Sequence, residues 1–118
     1  MIQMMLLLFA GHALCDYPLQ GDFLARGKNP LKAILGIPWQ QCLFAHALIH
    51  AGMVLVITKS LWLACAELMI HAITDYAKCV GWFGDQTYGT EGINPKAFNI
   101  DQAIHYGCKI LWAVIVAI

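Results

Sequence analysis

The residues that could do chemistry here sit inside apolar sequence. Glu67, His71 and Asp75 stand four apart, and Lys78 follows three later. At 3.6 residues per turn this puts a carboxylate, an imidazole, a second carboxylate and an ammonium on one helical stripe. His12 and Asp16, His46 and His50, and Asp101 and His105 are also four apart, so each of the five histidines belongs to such a pair. Ionisable groups in apolar helices are costly and face a bundle interior or a wet cavity.

Neutral imidazoles and carboxylates are ligands for Zn, Fe or Mn, and helical bundles build such sites from facing helices. The expected ligands of a divalent metal are His12, Asp16, His46, His50, His71 and Asp75, with His105 completing the layer. This set exceeds one tetrahedral shell, and the surplus would serve a second metal, orient imidazoles or take part in catalysis. A metal here makes a bound water nucleophilic; Asp101 is the expected catalytic base and Lys78 the cation that meets a substrate or carboxylate. Gln20 and Gln102 are expected as hydrogen-bond partners, whereas Glu67 is expected off the layer, facing Lys59 or water. Two other readings stay open. Chains of Asp, Glu and His serve proton or ion paths, for which one small protomer would need to form a homo-oligomer. Polar residues also act as interhelical glue, worth about 0.6 kcal/mol per hydrogen bond.

The elements that must position these groups follow from composition. The 118 residues are 60% hydrophobic and 12% charged, where a soluble domain carries about 25% charged residues. With a mean hydropathy of +0.65, lipid is the expected solvent. Zero net charge gives no argument for nucleic acid. The five cysteines are scattered singly and read as small buried apolar residues, with Cys15 and Cys108 nearest the polar stripes. The expected fold is all-α: one transmembrane domain, a four-helix up-down-up-down bundle with spans at about 3–22, 39–57, 61–82 and 98–118. The first apolar stretch lacks a basic leader and is read as a retained helix rather than a signal peptide. Pro18 should interrupt it and free the Leu14 carbonyl, and Leu31 to Ile37 could form a short interfacial helix.

Arg26, Lys28, Lys32 and Lys96, with Lys78 close by, gather on one side, against Lys59 on the other. The positive-inside rule then makes connections 23–38 and 83–97 cytoplasmic, with both termini outside and Trp39, Trp62 and Trp82 near the boundaries. Counted from the cytoplasmic ends at ~1.5 Å per residue, all four polar pairs fall ~5–16 Å deep. Four independent pairs had no need to agree, so one shared site is expected.

With these residues in view, Gly11-His12-Ala-Leu-Cys-Asp16-Tyr17-Pro-Leu-Gln20 is similar to the opening motif of the family called domain of unknown function 3307. Leu43 to His50, His71 to Lys78 and Phe98 to His105 continue the resemblance in order. It implies a small integral membrane protein of bacteria or their phages, hence the bacterial inner membrane, with the lipid bilayer as partner and no stated activity. A shorter resemblance, in the His-x-x-x-Asp spacing alone, is to bacterial inner-membrane metal-dependent hydrolases. It implies hydrolysis of a lipid-linked or membrane-proximal ester or phosphoester. A phage origin would also admit a non-enzymatic role at the host membrane.

Overall fold

Apolar segments broken by Pro and Gly give helices and little else. The computed structural model describes residues 1–85 and 94–118 and contains, among them, five helices and no strand. They are α1 Ile2–Asp16, α2 Gly21–Gly27, α3 Trp39–Thr58, α4 Leu61–Cys79 and α5 Pro95–Ala117. Local chemistry sets the ends. Asn94 caps α5, accepting from the Lys96 and Ala97 amides at 3.0 and 3.4 Å, with Pro95 in the first turn where its missing N–H costs nothing. Ser60 caps α4. Between α3 and α4, Lys59 takes the left-handed conformation (φ 59°), and its amide closes onto Leu55 O.

The first expected span does not run straight to residue 22. It stops at Asp16, and the chain bends by 82° into α2. Pro18 cannot continue the ladder, and Gly21 supplies φ 61° at the start of α2. The Leu14 carbonyl is not left free as expected: it accepts from the Leu19 amide at 3.1 Å. Residues 31–37 form turns rather than the short helix expected there. Span three ends at Cys79 rather than 82, and the last helix starts at Pro95 rather than 98. Most of the expected loop 83–97, residues 86–93, lies outside the described residues.

α3 packs on α1 and α4, α5 packs on α1 and α4, and α2 lies on α3. Gly27 allows that last contact, since a Cβ there would fall 2.5 Å from Cys42 Sγ. The interior is layered. Leu8, Val54, Leu63, Trp112 and Ala113 fill the end where α1 begins and α5 finishes. The other end is polar: His12, His46, His50, His71, Asp75, Asp101, His105 and Lys109 are each at most 1% exposed. The outside is apolar, with Leu6, Phe44, Val56, Trp62, Met69 and Ile73 more than half exposed. By length and composition, α3 is apolar enough to cross a membrane, at mean hydropathy 1.7, and α1 with α2 qualify only as a bent pair. The buried polar groups of α4 and α5 lower the hydropathy of the third and fourth expected spans.

Candidate metal centre

Each long helix contributes one stripe. α1 brings His12 and Asp16; α3 brings His46 and His50. α4 brings Glu67, His71, Asp75 and Lys78, and α5 brings Asp101, Gln102, His105 and Lys109. Because i and i+4 share a helical face, each stripe lands in the interior as a unit. The imidazoles turn their Nε2 atoms toward the carboxylates. His46 and His50 approach Asp16 Oδ1 at 3.3 and 3.2 Å, and His12 approaches Asp16 Oδ2 at 3.4 Å. His46 also lies 3.3 Å from Asp75 Oδ2, and its Nε2 is 3.2 Å from that of His71. His105 stands 3.2 Å from both Asp75 Oδ1 and Asp101 Oδ1.

These separations are long for charge-assisted hydrogen bonds, which run about 2.7–2.9 Å. They match the edges of a metal polyhedron: atoms ~2.1 Å from one ion at tetrahedral angles lie ~3.4 Å apart. Asp16, His46, His50 and His71 offer ligand atoms all within 4.8 Å of one another, as do His71, Asp75 and His105. The Nδ1 atoms of His12, His46 and His50 are buried without a hydrogen-bond partner among the described residues.

Charge singles out one member. Among the described residues, four carboxylates lie in the polar interior, and three ammonium groups reach them. Lys28 Nζ donates to Asp75 at 2.6 Å, Lys78 to Asp101 at 3.0 Å and Lys109 to Glu67 at 2.5 Å. Among the described residues no ammonium lies against Asp16; its shortest side-chain contact is the Gln102 amide at 2.7 Å. It is also the member nearest an opening. A cleft of about 280 Å³ is lined by Asp16, Tyr17, Gln20, Lys28, Lys78 and Gln102, with Ala25, Cys79 and Phe98 among its apolar members. Asp16, ringed by imidazole nitrogens and facing the cleft, belongs to a group of side chains that could hold a metal ion.

Of the expected ligands, Asp16, His46, His50, His71, Asp75 and His105 fall in the two convergent groups. His12 faces Gln102 Oε1 at 3.2 Å and belongs to neither group. Asp101 and Lys78 face each other. Gln102 bridges His12, Asp16 and Asp101, while Gln20 reaches only the Asp16 carbonyl. Cys15 is buried and Cys108 half-buried, and neither joins a ligand group.

Two expectations are corrected. Glu67 is 1% exposed rather than turned to Lys59 or water, and it binds Lys109 and the Trp112 indole. Its Oε1 stands 3.4 Å from His71 Nδ1. Lys28, counted among the basic residues of a connection, is 4% exposed and reaches Asp75. For Glu67 a signal existed. Asp101, His105 and Lys109 also step by four, and two antiparallel stripes set Glu67 against Lys109 and His71 against His105. For Lys28 no periodicity pointed inward.

The model of a family described as "Protein of unknown function (DUF3307)" matches residues 4–118. Neither the curated proteins nor the solved structures give a match.

Proposed function

The chain belongs to the DUF3307 family; that membership names no activity, so we propose a function from the geometry: an integral membrane metalloprotein that hydrolyses an anionic ester. A polar interior inside an apolar exterior is the reverse of a soluble domain, and it supports four crossing helices in up-down-up-down order. The setting proposed is a bacterial cytoplasmic membrane, with connections 23–38 and 83–97 on the cytoplasmic side. With Lys28 and Lys78 engaged internally, that orientation rests on Arg26, Lys32 and Lys96 against Lys59.

The observation that carries the metal reading is Asp16, among the described residues the one interior carboxylate without an ammonium, beside three imidazoles. Asp16, His46 and His50 would hold the ion, with His71 within reach. A divalent ion there supplies Lewis acidity and an acidic water. Gln102 holds Asp16 in place through its amide. Asp101, fixed by Lys78 and 3.2 Å from His105, would serve as proton acceptor. Lys28 and Lys78, though paired with Asp75 and Asp101, line the cleft and would offer their remaining N–H donors to an anionic substrate beside the ion.

A second reading has its own observation. His105 lies between two carboxylates, and protonating it would balance the interior without a metal. The cluster would then be interhelical glue or a proton path. Plasma mass spectrometry on detergent-purified protein decides between them. About one Zn, Fe or Mn per chain, lost in His46→Ala/His50→Ala and kept in Lys59→Ala, supports the metal centre. Metal-free protein that takes up none of these ions on dialysis leaves the His105 reading standing.

A further inference from the structure

Lys28 occupies an odd position for a basic residue of a connection. It follows α2 directly, and its amide bonds back to Leu24 O at 3.1 Å. α2 rests on α3 through the close approach of Gly27 to Cys42. This fixed base sends a long side chain into the interior, where Nζ reaches Asp75 Oδ2 at 2.6 Å. Asp75, His71 and His105 form the second of the two convergent ligand groups. The ammonium therefore lies against a carboxylate that could itself have bound a metal.

The two ligand groups are adjacent. His46 Nε2 stands 3.3 Å from Asp16 Oδ1 and 3.3 Å from Asp75 Oδ2, so one imidazole edge separates the two carboxylates. Paired metal ions about 3.5–4 Å apart clamp the attacking and leaving oxygens of a phosphoryl group. Here one of the two cation positions carries a lysine. An ammonium has three donors and is a compact point charge. Lys28 gives one donor to Asp75 and also lines the cleft.

We propose that Lys28 holds the second cation position of the centre, so that one metal ion at Asp16, His46 and His50 works beside one ammonium at Asp75. The ligand class this pair fits is a tetrahedral oxyanion, a phosphate ester, bridging ion and ammonium from the cleft. The proposal rests on the metal reading above, and it gives Asp75 a different task from Asp16: it holds Lys28 rather than the ion. Removing the ammonium frees Asp75 and His105 as ligands.

The test is zinc stoichiometry, read by plasma mass spectrometry after equilibration with excess zinc and desalting. Wild type is expected to hold one zinc per chain, Lys28→Met two and Asp75→Asn one. A thermal melt in detergent shows which variants are folded. Folded K28M with one zinc overturns the proposal, as does wild type with two. If K28M fails to fold, Asp75→Asn decides: zinc retained supports the division of labour, and zinc lost overturns it. Wild type with no zinc overturns the metal reading itself, a result distinct from these. Calorimetric titration with inorganic phosphate at one equivalent of zinc tests the ligand class. At least tenfold weaker phosphate binding in Lys28→Gln is expected; unchanged or absent phosphate binding overturns the oxyanion assignment.

Discussion

Replacing Asp16 by Asn should separate metal binding from stability. The substitution keeps the shape and the Gln102 contact region but removes the one interior carboxylate that no ammonium balances. A carboxylate and a divalent ion with charge centres ~3 Å apart attract by about 2.8 kcal/mol even at the dielectric constant of water. The site is drier than that, since Asp16 exposes only 9% of its side chain. The metal should therefore bind at least ~100-fold more weakly, because each 1.36 kcal/mol is about tenfold. The metal-free fold should lose little, because an uncompensated anion has left the interior. Asp75→Asn is the mirror case. It strands the buried Lys28 ammonium, and breaking a buried pair from one side costs about 3–5 kcal/mol. Its metal should stay within tenfold of wild type. Competition with a chromophoric chelator reads affinity, and melting in detergent reads stability. Equal effects of the two variants on both measurements would refute the charge argument.

Glu67→Gln and Lys109→Met should each destabilise by about 3–5 kcal/mol by orphaning a buried charge, while the double variant recovers part of the loss; simple additivity in thermal melts would show that the two are not paired. Gly27→Ala should cost about 1–3 kcal/mol, because its Cβ meets Cys42 Sγ at 2.5 Å and must push α2 outward. Cys42→Ala in the same chain should restore the melting temperature, and no rescue would place the strain elsewhere. Cys65, exposed on α4 between Trp62 and Met69, should be hidden from a membrane-impermeant maleimide in intact membranes and react after SDS. Labelling of Cys65 in intact membranes would count against α4 crossing the bilayer.

The polar cluster was legible because its information is local. A spacing of four fixes a helical face whatever the helix packs against, so His46 with His50 and Asp101 with His105 could be read directly. The Ser60 and Asn94 caps are local too, but neither was read as a cap, and the last helix was started at 98 rather than at Pro95. What stayed hidden was set by partners far along the chain. Lys28 and Asp75 are 47 positions apart, and nothing in a turn-rich connection says that its lysine points inward. Glu67 was misjudged by measuring depth along α4 alone, when its surroundings come from Lys109 and Trp112 on α5. The bend after Asp16 was only half visible: Pro18 announced a break, but its 82° angle comes from how α2 lies on α3.

The ion pairs between α4 and α5 also bear on how such a chain could be made. Carried alone into a bilayer, α4 would bring Glu67, Asp75 and Lys78, at about 2.5–3.5 kcal/mol for each charge near the helix centre. Its neutralising groups Lys109 and Asp101 are synthesised some 23–42 positions later. In the membrane setting proposed above, α4 would have to linger at the insertion machinery until α5 emerges, and the two would enter together with the Glu67–Lys109 and Lys78–Asp101 pairs formed, while Asp75 is met by the earlier-made Lys28. Truncation before Lys109 should then release α4 from the membrane as well, which makes biogenesis a second process that depends on the same charges.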